Sequence, residues 1–281
     1  MNKMIYLVLA ILSSALVSII MRLSEKHVSG NVGMLAVNYL MCITIAGIGS
    51  GFGNLFPQVD GFGFTLGLGL FNGLLYLAGF VLLQINVKRN GVVMSSTFMK
   101  LGVLVPMVVS IGFFGEKPEI FQILGFLLAV AAIILINFEK EQTTMEFKAG
   151  LILLLLAGGG GDAMSKVFEV LGNPDLSEQF LLYTFGSALI LCIALMVFKK
   201  EKPGKLELLF GLLIGVPNFY SAKFLLKALG SVPAVITYPT YSIATIVVVS
   251  LTGVLFFKEK VGKRQKIAMG IIFVALALLN I

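Results

Sequence analysis

The sequence predicts an all-α integral membrane protein with ten transmembrane helices arranged as two inverted five-helix repeats. Three observations carry this. Apolar stretches of about twenty residues, the length that crosses a bilayer core, follow one another along all 281 residues. The basic residues gather in alternate loops. The chain also matches itself at a displacement of 143 residues.

The ten spans are read as 3–21, 33–52, 63–85, 92–114, 119–138, 147–170, 178–198, 205–228, 232–257 and 263–281. A composition that is 58% hydrophobic and only 12% charged, with mean hydropathy +1.01, is far from that of soluble domains, where about 25% of residues are charged. The first span carries Lys3 and has no small-residue cleavage site before Arg22, so it reads as a retained helix and not as a signal peptide.

The net charge of +7 invites a nucleic-acid reading, which the placement of the charges excludes. If successive helices alternate in direction, one face collects Arg22, Lys26, Lys88, Arg89, Lys140, Lys148, Lys199, Lys200, Lys202, Lys205, Lys258, Lys260, Lys263, Arg264 and Lys266. The other face holds Lys3, Lys117 and Lys227 beside Asp60, Glu116, Glu119, Glu169, Asp175 and Glu178. By the positive-inside rule the basic face is cytoplasmic, which puts both termini on the non-cytoplasmic side of a cell membrane. Cys42 and Cys192 lie inside spans and read as small core residues, and His27 as a solvated loop residue. No metal ligand set or cofactor is expected.

At the displacement of 143, residues 93–137 align with 236–280 without a gap, and ten of the 45 positions are identical. The informative cluster is Phe113-Phe114-x-Glu116-Lys117 with Gln122, matched by Phe256-Phe257-x-Glu259-Lys260 with Gln265. The halves, 1–140 and 141–281, are then five helices each. An odd number of spans per repeat inverts one half relative to the other, the plan of many secondary transporters, with a substrate cavity near the bilayer midplane between the repeats.

The segments FFGEKPEIFQILG at 113–125 and FFKEKVGKRQKIA at 256–268 carry a resemblance. With the five-plus-five plan, the chain resembles the drug/metabolite transporter superfamily, and within it the EamA-type transporters. The resemblance implies a central cavity lined by the first, third, fourth, sixth, eighth and ninth helices. The inverted-repeat plan lets the two halves exchange inward-open and outward-open shapes, which is transport by alternating access. The commonest topology of that family keeps the termini cytoplasmic, whereas the charges of this chain put them outside.

Charges inside spans point to a site, because a charged side chain at mid-bilayer costs about 2.5–3.5 kcal/mol and needs a partner or a wet cavity. Lys100 stands nine residues into the fourth span, about 13 Å deep at the helical rise. Asp162 and Lys166 sit at i, i+4 on the sixth span, a spacing that permits an ion pair, and Lys166 and Lys223 lie near enough to the acidic face to snorkel. The expected substrate-binding residues are Lys100, Asp162, Thr97, Asn72, Tyr76, Asn218, Tyr220, Lys223, Tyr238 and Tyr241. Asn38 and Tyr39 of the second span and Tyr183 of the seventh lie at a similar level.

Glu116 and Glu259 are expected to order the turns into the spans that follow them. Gly158 to Gly161 either admit a close neighbour or loosen the sixth helix. Gly63, Gly67, Gly69 and Gly73 are expected to pack a neighbouring helix, and Pro106, Pro217 and Pro239 to kink their spans.

No G-x-S-x-G motif, His/Glu/His spacing or paired intramembrane aspartates support an enzyme. The expected function is secondary transport of a small polar metabolite, an amino acid or related carboxylate or amine. The alternative is a lipid-carrier flippase of the same fold. Expected partners are the small-molecule substrate, membrane lipid and a coupling proton, with the chain acting as a monomer or homodimer and binding no nucleic acid.

Overall fold

A computed structural model describes residues 3–25, 27–28, 31–51, 54–137, 147–257 and 262–281. Every regular element among them is helical: α1 Lys3–Ser24, α2 Asn31–Ser50, α3 Phe62–Lys100, α4 Leu104–Gly112, α5 Ile120–Asn137, α6 Lys148–Leu171, α7 Ser177–Lys199, α8 Lys205–Leu229, α9 Ala234–Phe257 and α10 Lys263–Leu279. Among the described residues, eight helical segments are long and apolar enough to cross a membrane, and the shorter apolar helix α5 adds Ile120–Ile136. The chain is a multi-pass membrane protein. The expected spans match these helices to within a few residues, except around residue 91.

There the third and fourth spans run into one another. Gly91 is the break, with φ 77° and ψ 164°, a backbone conformation open to glycine and strained for any other residue. The residues from 86 to 91, expected as a loop, continue α3 as helix up to this point. Asn86 and Asn90 are buried and serve the start of α6. Asn90 Oδ1 accepts from the Phe147 N–H at 3.0 Å, and Asn86 Nδ2 donates to the Gly150 carbonyl at 2.9 Å. A helix N-terminus leaves its first amides without intrahelical partners, and a side-chain oxygen at this position satisfies one of them. A 3₁₀ turn, Leu101–Val103, then leads into α4, so Pro106 follows the irregularity within one turn. Pro217 and Pro239 are carried inside continuous helices.

The contacts divide the chain into two compact units. Unit 1 comprises Met1–Leu77 and Val167–Ala228, and unit 2 comprises Ala78–Lys166 and Leu229–Ile281. Each takes helices from both sequence halves. In unit 1, α2 packs along α7. Gly69 and Gly73 of α3 lie so close to α7 that a Cβ would come within 2.8 Å of Tyr183 Cβ and 2.3 Å of the Thr184 carbonyl oxygen. Gly63 and Gly67 meet nothing within 4 Å. Only half of the expected glycine stripe is therefore a packing surface.

In unit 2, α5 packs along α10 through a core that includes Ala129, Ala132, Ile133, Ile272, Ala275 and Leu279. The glycine run of α6 stays helical and admits a neighbour. A Cβ on Gly159 would sit 2.0 Å from the Gly102 carbonyl oxygen, in the 3₁₀ turn before α4. The starts of α3 and α8, Phe62 and Lys205, stand 143 residues apart, as do those of α5 and α10, Ile120 and Lys263. The proposed boundary between the halves, at residue 140, lies outside the described residues.

Candidate substrate site

The ten expected site residues fall five and five. Asn72, Tyr76, Asn218, Tyr220 and Lys223 belong to unit 1, and Thr97, Lys100, Asp162, Tyr238 and Tyr241 to unit 2.

Unit 1 contains an open recess of about 160 Å³ lined by Val17, Met21, Met34, Leu35, Asn38, Tyr39, Tyr76, Ile214 and Asn218. It exists because α8 comes very close to α2 on one side while α1 and α3 flank the gap. Gly211 and Gly215 make the approach possible: a Cβ on either would fall 2.6 Å from Val37 Cβ or 2.5 Å from Met41 Cβ. One turn beyond Gly215, Asn218 Nδ2 donates to Asn38 Oδ1 at 3.2 Å and lies 3.7 Å from Cys42 Sγ. The Cys42 thiol in turn contacts the Gly215 carbonyl at 3.3 Å.

Aromatic rings back the recess. Tyr39 and Tyr76 both pack on Phe185, with ring centroids 6.1 Å and 5.9 Å away, and Phe185 continues to Phe219. Asn72 is buried beside this cluster. Its Nδ2 reaches Thr184 Oγ1 at 3.4 Å, while its Oδ1 has no hydrogen-bond partner among the described residues. Tyr220 points elsewhere, stacked on Phe224 at 5.5 Å and partly exposed.

Lys223 is already paired. Its ammonium meets Glu178 Oε1, at the N-terminal turn of α7, and stands 5.6 Å over the Phe219 ring. Glu178 Oε2 is buried without a hydrogen-bond partner, beside Gly49. Lys223 thus meets a carboxylate toward the acidic face, with both side chains about one-fifth exposed.

Unit 2 shows the same logic at Lys166. This lysine is buried and paired with Glu116 at 3.0 Å rather than following its i, i+4 spacing to Asp162. Glu116 does more than order its own turn. Its two carboxylate oxygens accept the Ala234 and Val235 amides at 3.1 and 3.0 Å. The carboxylate therefore caps α9, where unsatisfied N–H groups and the positive end of the helix dipole favour an anion. Glu259, its counterpart in the second half, lies outside the described residues, as does Lys260.

Asp162 is half-buried, and its carboxylate has no partner among the described residues; its main-chain carbonyl accepts the Tyr238 hydroxyl at 2.5 Å. Lys100 is exposed and likewise has no partner there. Thr97 is buried one turn before it. Lys100 and Asp162 do not form the buried pair that would make them a helix-to-helix link, and both side chains stay available. Tyr238 is fully buried and Tyr241 half-buried.

Asn38 and Tyr39 belong to the recess although they were not among the ten. An asparagine in the middle of an apolar span was the available signal. Glu178 was missed as the partner of Lys223 because nothing in sequence spacing joins positions 45 residues apart.

The similarities of the whole chain agree with this architecture. A solved crystal structure superposes with TM-score 0.74 at 16% identity, covering 99% of this chain and 96% of that one, which shows the fold. An uncharacterized protein of Haemophilus influenzae (strain ATCC 51907 / DSM 11121 / KW20 / Rd) is 26% identical over 281 residues, 95% of this chain and 94% of its own length. The EamA-like transporter family model matches twice, over residues 1–138 and 149–281. With ten helices among the described residues, charges held inside the spans and a matched sequence on both sides of residue 140, the chain belongs to the EamA-like transporter family.

Proposed function

We propose that this protein is a secondary active transporter, an exporter or exchanger, that moves a small polar metabolite by alternating access. The observation that carries the reading is the recess of unit 1. Its walls come from α1, α2 and α3 of the first sequence half and from α8 of the second. It runs from Tyr76 and Asn218, near the middles of their helices, to Met21 and Met34, within a turn of helix ends on the basic face. At the opposite, acidic face the same unit is held by the Glu178–Lys223 pair. Unit 2 is held on that face by Glu116 with Lys166 and the start of α9. With the basic face cytoplasmic, the recess of unit 1 lies toward the cytoplasmic ends of its helices.

Lys100 and Asp162, opposite in sign and without partners among the described residues, support an amino acid or a related carboxylate or amine as cargo. Asp162 is then the candidate carrier of a coupling proton. Purified protein in liposomes should show saturable counterflow of such a metabolite without ATP, reduced at least tenfold by Lys100→Met. Movement of a lipid probe with no soluble counterflow would favour the flippase instead.

A further inference from the structure

The Asn38–Asn218 pair is bonded through only one end of each amide. Asn218 Nδ2 donates to Asn38 Oδ1, which leaves Asn38 Nδ2 as a donor and Asn218 Oδ1 as an acceptor with no partner among the described residues. Both residues line the recess, and Asn38 is 97% buried, with 3% exposure. Beside them the Tyr39 hydroxyl is also without a partner among the described residues, although Tyr39 too is only 3% exposed. These atoms are not sealed in the core, so the donor and the acceptor left over by the pair stay open to hydrogen-bond a molecule held in the recess.

We infer that the recess binds an uncharged, planar ring or carboxamide that presents an acceptor next to a donor. A lactam, a cyclic imide or an aromatic carboxamide has that edge. The inference rests on the transporter reading above and assigns this recess the neutral, amide-bearing part of the cargo. The chemistry of the lining decides between classes. No charged side chain among the described residues lines the recess, so an ionised group placed there would lose its hydration without a counter-charge. A carboxylate in place of the carboxamide would also set an oxygen against Asn218 Oδ1, acceptor against acceptor. The size agrees: a cavity of about 150 Å³ takes one six-membered ring, and the recess measures about 160 Å³. Tyr39, Tyr76, Met21 and Met34 supply the aromatic and thioether surface that a flat ring packs on.

The test compares nicotinamide with nicotinate, and uracil with orotate, as ligands of the full-length protein in detergent. Binding is read by thermal stabilisation and by calorimetry. The neutral member of each pair should bind and the carboxylate should not. Asn38→Leu and Tyr39→Phe should each weaken the neutral ligand about two- to tenfold, in the range of one lost hydrogen bond. Tyr39→Phe, which removes one oxygen from a buried ring, guards against loss of fold in the other variant. Equal binding of both members, or binding unaffected by either variant, would overturn the inference. The two readings fail separately. Counterflow that depends on Lys100 but is neither carried nor competed by neutral amides removes this inference and leaves transport standing. Amide binding with no flux of any solute removes the transport reading and leaves the site.

Discussion

At the scale of single residues, two lysines inside the spans are paired with carboxylates from other elements. Lys166 with Glu116, and Lys223 with Glu178, each join positions far apart in the chain. Removing one partner of a buried pair leaves a bare charge and costs about 3–5 kcal/mol, whereas removing both is often close to neutral. Glu116→Gln should therefore lower the thermal midpoint strongly, since it strips Lys166 of its counter-ion and weakens the cap on α9. Glu116→Gln combined with Lys166→Met should recover part of the loss. Melting curves of the three purified variants decide this, and a double variant no better than Glu116→Gln alone would put the whole effect in the cap. Sequence spacing exposed the lysines as out of place in apolar spans but not their partners, because an ion pair between separate helices leaves no periodic trace. The i, i+4 relation of Asp162 and Lys166 was legible and misleading: a neighbour on the same helix was available, and a carboxylate from another element won.

At the scale of helices, the glycines sort by what their missing side chains would meet. Gly159→Ala drives a methyl group to within 2.0 Å of a backbone carbonyl oxygen that has no way to yield locally. Overpacking of this kind costs about 1–3 kcal/mol or more. Gly67→Ala, with open space around it, should leave stability unchanged or raise it by up to about 1 kcal/mol through helix propensity. Parallel thermal melts of the two variants check the sign of each. The sequence marked Gly67 as a packing position through its small-x-x-x-small spacing and Gly159, in a run of four glycines, as either a close approach or a loosened helix, yet only a neighbour's position separates a contact from a gap. Helix boundaries were the most legible level, since hydrocarbon thickness dictates span length. The exception at Gly91 arose because a reversal of chain direction normally needs a loop, and here one residue with positive φ serves between two helices.

At the scale of the whole molecule, two divisions of the chain coexist. The sequence halves recur at 143 residues, while the compact units each draw on both halves. That intermixing leaves no trace in the order of the residues along the chain. Tyr76 and Asn218 line one recess in unit 1, whereas Lys100, Asp162 and Tyr238 belong to unit 2. The charge bias across the loops makes a further prediction, that both termini face away from the cytoplasm. Tags at each end should be labelled by an impermeant reagent in intact cells, and protection of either tag would reverse the orientation. Substrate identity was the least legible property, because it depends on which side chains of distant helices remain without partners once the fold has used the others.

The most direct test of the central claim is counterflow in liposomes loaded with a mixture of amino acids, amines and neutral amides and diluted into a single labelled member at a time. The account predicts saturable uptake of at least one labelled solute, driven by the trapped pool without ATP and sharply reduced by Lys100→Met. Absence of solute counterflow in a preparation that is folded and correctly inserted would contradict it.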